Sequence, residues 1–187
     1  MAPLGRSRPD SRIRRFEAHI LPHLAGLYRA ARRLGATPSD AEDLVQETCL
    51  RAFQSLDQLR HHEAAKAWVF AVLRSVYLRH ATRISPIPVE PLAISEAWPL
   101  PPGAPSDPAE EAGATLVDVR EAVSRLPLAY REALVLAHVV GFSYREMAQI
   151  LDVPLGTVMS RLFRARRLVR RLLRETPHPP SSAESRR

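Results

Sequence analysis

The chain has 187 residues, 45% of them hydrophobic, and sets 27 Lys plus Arg against 20 Asp plus Glu for a formal net charge of +7. That length allows one ordinary domain or two small ones, and that apolar content excludes wholesale disorder. A single cysteine, Cys49, excludes a disulfide framework or a multi-cysteine zinc site, and no uncharged apolar run is long enough to span a membrane.

The opening stretch (MAPLGRSRPDSRIRRF) has no apolar signal-peptide core, so a cytoplasmic protein is expected. Lys66 is the only lysine, so the basic excess is almost wholly arginine. Residues 1–15 are polar and arginine-rich and read as a flexible tail. From Ile20 an apolar stripe runs through Leu24, Leu27, Ala31 and Leu34 at helical spacing, and Gly35 stops it. Ser39 and Glu42 are spaced as a capping box for a second helix, whose apolar face carries Leu44, Val45, Thr48, Ala52, Phe53 and Leu56. A third helix, roughly 64–83, follows a polar stretch and holds Trp68, Val69, Val72, Leu73 and Val76. Residues 16–83 therefore read as one small helical domain.

Between 84 and 114 the character changes. Eight prolines and five acids fall there with no basic residue, which rules out a continuous helix and leaves little to build a core. This is a linker. A second helical domain is expected over 115–175, followed by a polar tail over 176–187. Leu116, Val119, Val123 and Leu126 form one stripe; Leu128, Ala133, Leu134, Leu136 and Ala137 form a buried helix ending at Gly141. The fold class is all-α.

Ser143 and Glu146 form another capping box, opening a helix over 144–151. Asp152 and Val153 make a tight turn, and Pro154 suits the first turn of the next helix. Two short helices so joined, the second basic, are a helix-turn-helix pattern. In that second helix Val158, Leu162, Ala165, Val169 and Leu172 point inward by spacing. Thr157, Ser160, Arg161, Arg164, Arg167 and Arg171 are left outward, where guanidinium groups suit phosphates and guanine edges. Met159 and Phe163 fit either a thymine-methyl contact or helix packing.

The string GTVMSRLFRAR (156–166), preceded by FSYREMAQILDVPL, resembles region 4 of the extracytoplasmic-function (ECF) sigma factors. The resemblance implies binding of the −35 promoter element by Thr157, Met159, Ser160, Arg161, Arg164 and Arg167. DAEDLVQETCLRAF (40–53) resembles region 2.2. It implies docking on the polymerase β′ clamp helices through Asp40, Asp43, Leu44, Gln46, Glu47 and Leu50. KAWVFAVLRSVYLRH (66–80) is similar to regions 2.3 and 2.4, which open and read the −10 element. That likeness implies Lys66, Trp68, Arg74, Ser75, Tyr77 and Arg79 as −10 residues, with Arg60, His61 and His62 in the loop that takes a flipped base. Aromatic groups among cations suit unpaired strands, although Trp68 alone reads mainly as core. Ser75 stands where the family often has Asn, and Cys49 where a bulkier apolar residue is frequent. Cys49 reads as a small buried hydrophobe rather than a redox sensor.

By the same resemblance the partners are core polymerase (β′ clamp helices and β flap), promoter DNA and, as is frequent in the family, an anti-sigma protein. The linker then threads toward the RNA exit channel, and the protein works at the nucleoid. No phosphate-binding loop, catalytic constellation or metal-ligand spacing is present; the pairs His19/His23 and His61/His62 lack a third ligand. No cofactor, metal or enzymatic activity is expected. The competing readings are an autonomous helix-turn-helix regulator, with residues 18–83 as a sensing or dimerisation domain, and an adaptor acting through protein contacts alone.

Overall fold

The computed structural model of the protein describes residues 9–84 and 115–175; the linker over 85–114 and both chain ends lie outside the described residues. Every regular element among the described residues is helical. The first domain comprises α1 (Pro9–His19), α2 (Leu24–Arg33), α3 (Pro38–Gln54) and α4 (Ala65–Ile84). The stripe that begins at Ile20 is interrupted by a 3-10 turn at Leu21–His23, because Pro22 has no N–H to give to a continuing helix. Ile20, Leu27, Ala31 and Leu34 still meet in the core.

Helix α1 begins inside the stretch that the sequence reads as a tail. What orders it is distant in sequence. Arg12 donates from Nε and Nη2 to the Phe53 carbonyl at 3.1 and 2.8 Å, and from Nη2 to Gln54 O at 2.7 Å. Arg15 donates to Leu59 O at 3.3 Å. Arg12 thus caps orphan carbonyls at the C-terminus of α3, where the helix dipole also favours positive charge, and Arg15 ties down the turn that follows. Phe16 packs edge-on against Phe53, with ring centroids 5.5 Å apart.

The cap of α3 is Thr37 with Asp40 rather than Ser39 with Glu42. Asp40 N–H donates to Thr37 Oγ1 at 3.1 Å, and Thr37 N–H donates to Asp40 Oδ2 at 3.3 Å. Pro38 decides the start: its fixed φ suits the first helical position, and its missing N–H would have no partner there. Ala41, Leu44, Thr48 and Ala52 form the buried face, and Thr48 Oγ1 donates back to Leu44 O at 2.6 Å.

The second domain comprises α5 (Leu116–Ser124), α6 (Leu128–Leu134), a π-helical segment (Val135–Val140), α7 (Tyr144–Leu151) and α8 (Leu155–Glu175). The π segment ends at Gly141, whose φ of 75° is the left-handed conformation that glycine tolerates. Helix α8 packs on α5, α6 and α7 through Val158, Leu162, Ala165, Val169 and Leu173. Leu173 replaces the expected Leu172, because four-residue steps from Ala165 keep the stripe turned to the core. The two domains also touch: α4 packs on α7, and α2 on the π segment and α5. No described helix is long and apolar enough to cross a membrane.

Candidate nucleic-acid interface

The helix-turn-helix is built as its residues dictate. Ser143 N–H and Oγ both reach Glu146 Oε2, at 2.8 and 2.7 Å, and Glu146 N–H returns to Ser143 Oγ at 3.3 Å. The bonds from Ser143 hold the Glu146 carboxyl below the usual carboxylate range. The turn closes with Asp152 in the left-handed region at φ 52° and with Val153 N–H donating to Ala148 O at 3.1 Å. Thr157 N–H and Val158 N–H then donate to Pro154 O, launching α8.

The N-terminal end of α8 is open: Leu155 and Gly156 are exposed, and nothing approaches within 4 Å of where a Cβ on Gly156 would stand. Thr157, Met159, Ser160, Arg161 and Arg164 are half-buried, and Arg167 is exposed. Ser160 Oγ is engaged with Thr157 O at 3.0 Å. A shallow cleft beside the turn is lined by Ala148, Gln149, Asp152, Val153 and Pro154. Exposed Tyr144 and Arg145 flank the capped end of α7. Gln149, Tyr144 and Arg145 carry no periodic signal, so only the folded turn reveals them.

Arg161 has a second engagement. Its charge acts on Glu132, a carboxylate on α6 that is 4% exposed. Burial raises the Glu132 carboxyl above its usual range, and Arg74 and then Arg161 oppose that rise. Sequence reasoning misses Glu132. Its signal is a lone acid in the apolar run LAYREALVLA.

The −10 candidates of the first domain divide over three places. Arg60, His61 and His62 are exposed; the first two lie between two short 3-10 turns and His62 opens the second, its ring stacked on His19 at 4.1 Å. Trp68, Ser75 and Arg79 lie on one face of α4, where they line an open groove with Glu47, Leu50 and Arg51 of α3. Lys66, Arg74 and Tyr77 lie on the opposite side. Tyr77 Oη donates to Leu34 O at 2.8 Å, while Lys66 and Arg74 reach the second domain. Trp68 is half-buried, beside the groove rather than deep in the core.

Helix α3 sorts the polymerase-docking candidates as sharply. Asp43, Gln46 and Leu50 are exposed, Leu50 at 57%, and Glu42 extends the same stripe. Leu44 does not belong to that surface: it is 2% exposed, because α3 turns it inward with Ala41 and Thr48. Asp40 is held by its cap. Glu47 is bound by Arg51 and by His80, the latter at 2.7 Å, and these partners keep its carboxyl below the usual range, His80 most of all. Cys49 is half-buried, and burial raises its thiol, which disfavours thiolate chemistry. Among the described residues no group of three or more metal-ligating side chains is assembled.

Family models match both halves: Sigma-70 region 2 over residues 19–85 and Sigma-70, region 4 over residues 116–169. The chain is 36% identical over 154 residues to the ECF RNA polymerase sigma factor EcfG of Rhodopseudomonas palustris, covering 82% of each. It is 33% identical over 171 residues to the ECF RNA polymerase sigma factor SigE of Mycolicibacterium smegmatis, covering 89% of this chain and 63% of that protein. Among solved structures, the sigma factor RpoE in complex with the anti-sigma factor NepR from Bartonella quintana is similar with a TM-score of 0.63 and 29% identity. That match covers 87% of this chain and 98% of the other.

Proposed function

The chain belongs to the ECF RNA polymerase sigma factors, and on that premise we propose how its surfaces divide the work of initiation. The exposed stripe Glu42, Asp43, Gln46 and Leu50 docks on a basic helical surface of core polymerase around an apolar centre. Charge complementarity there steers encounter, and desolvated Leu50 holds it. Helix α8 enters the major groove at the −35 element with its open N-terminal half, Arg164 and Arg167 contacting base edges or phosphates and Thr157, Met159 and Ser160 lying close to the bases. The backbone N–H groups of that end, with Arg145 nearby, suit flanking phosphates.

In the first domain, Arg60, His61 and His62 form the loop for an extruded −10 base. Trp68, Ser75 and Arg79 lie on a ledge for the separated strand, with Lys66 and Arg74 supplying cations for its backbone. Ser75 can donate or accept a hydrogen bond there, so it keeps a polar contact with less reach than Asn. The domains run over 16–83, with α1 extending the first back to residue 9, and over 115–175. The protein has no catalysis of its own, needs no cofactor, and works in the cytoplasm on the nucleoid. An anti-sigma protein is a further partner, a reading supported by the solved relative bound to one.

One observation carries this reading. A single chain places a capped basic helix-turn-helix on one domain and an exposed acidic stripe centred on Leu50 on another. A stand-alone repressor needs only the first. Transcription reconstituted from purified core polymerase tests it: promoter-specific transcript should depend on adding this chain, and its absence would remove the reading.

A further inference from the structure

Helix α1 lies, save for His19, ahead of the stretch that matches region 2, and the proposed function leaves it without a task. Its Arg12, Arg15, Phe16 and His19 are spaced i, i+3, i+4 and i+7, which puts them on one helix face. That face follows the chain from the end of α3 into the loop given to an extruded −10 base. Arg12 holds the carbonyls of Phe53 and Gln54, and Phe16 packs on Phe53. Asp57 pairs with both arginines at 3.7 Å, and Arg15 Nη2 donates to the carbonyl of Leu59, the residue just before Arg60. His19 ends the row: its ring lies on that of His62, with centroids 4.1 Å apart and planes 7° from parallel. Both anchors are themselves fixed. Leu59 is 4% exposed, and Ile20, which follows His19, is fully buried with its N–H donating to Phe16 O at 2.8 Å.

We propose that α1 is a splint for the base-receiving loop, with Arg15 and His19 as its positioning residues. Arg15 holds the chain where the loop begins and His19 where it closes, so Arg60 and His61 are carried between two fixed points. The proposal rests on the reading of Arg60, His61 and His62 as the loop for an extruded base. Capping of α3 accounts for Arg12, but not for Arg15 and His19, which reach past the helix end to either side of that loop. His19 covers one face of the His62 ring and still leaves His62 exposed, so an unpaired base stacks on the other face. Every base has such a face. The stack therefore supplies affinity, and the polar edges of Arg60 and His61 are left to choose the base. A ring already held by its neighbour gives up little rotamer freedom when the base arrives, which is the gain of a preset loop.

Holoenzyme made with the full-length chain tests the splint on a promoter fragment whose −10 segment is unpaired. A series of the same fragments carries one abasic position at a time. With the wild type, one abasic position should weaken binding by about fivefold or more, the loss of one stacked base. His19→Ala and Arg15→Gln should each bind the intact fragment about two- to tenfold more weakly. The abasic penalty at that position should shrink with them, because base and splint then act as one unit. His19→Phe keeps a ring against His62 and should restore both values, while core affinity stays at the wild-type level in every variant. An abasic penalty undiminished in His19→Ala and Arg15→Gln would overturn the splint and leave the base-receiving loop standing. So would His19→Phe binding as weakly as His19→Ala. Should either truncated variant lose helical content by circular dichroism, the other decides together with His19→Phe. A wild type indifferent to every abasic position would remove the loop reading and the splint together.

Discussion

Helices α4 and α8, of 20 and 21 residues, are the longest of their domains and carry much of the candidate DNA chemistry, yet they are built on different plans. Helix α8 has one inward stripe, Val158 to Leu173, and leaves its arginines round the rest of its circumference. Helix α4 is apolar nearly all round, because α3 packs on one side and α7 on the other. The difference is one of burial. A helix that packs along one stripe advertises its faces in sequence, whereas a helix packed on two opposite sides hides which cations face solvent and which are engaged. Lys66 and Arg74 read as free basic groups until the second domain is placed against them.

That contrast predicts unequal consequences for core truncations, the largest effects expected. Leu162→Ala and Leu73→Ala each empty a buried leucine site and should each cost about 2–5 kcal/mol. The Leu162 change should unfold the second domain first. The Leu73 change, where the two domains meet, should loosen both domains in one transition, as followed by denaturant unfolding with probes in each. Two transitions for Leu73→Ala would break the comparison.

The surfaces should also separate by function. Arg167→Ala should lower promoter-specific transcription by about 1–3 kcal/mol of DNA contact while leaving core affinity intact. Asp43→Ala should weaken core binding and leave duplex contacts alone. Arg161 is the less clean probe, because removing it also takes a cation from the buried Glu132.

The smallest effect sharpens the reading of α7. Ser143→Ala should lower stability by about 1 kcal/mol through loss of the cap. The Glu146 carboxyl, lowered in the folded state by Ser143, contributes stability that is present above the normal glutamate range. That contribution is lost as pH falls through the lowered folded value. The gap between wild type and Ser143→Ala in thermal melts should therefore hold at neutral pH and narrow in acid.

The elements with local signals were legible in the sequence: the capping box at Ser143, the stop at Gly141, and the inward stripe of α8 up to its last turn. The family resemblance rests on those same strings. What escaped depends on contacts between distant residues. The ordering of α1 comes from Arg12 reaching the end of α3 and Arg15 reaching the turn after it, which no nearby spacing announces. The cap of α3 slid two residues because Pro38 claims the first helical position, although Ser39 and Glu42 have equally good spacing. Within the candidate site, spacing puts Leu44 and not Leu50 on the apolar face of α3 while the family resemblance gives both to docking, and packing leaves only Leu50 at the surface. Glu132 was invisible as a partner because its cations come from residues 74 and 161.

Whether the two domains act together on polymerase and DNA is tested most directly by an electrophoretic shift of promoter DNA. With core polymerase and this chain together, a promoter-specific complex should form that neither core nor the chain forms alone. Strong, sequence-specific binding by the chain without core would contradict it.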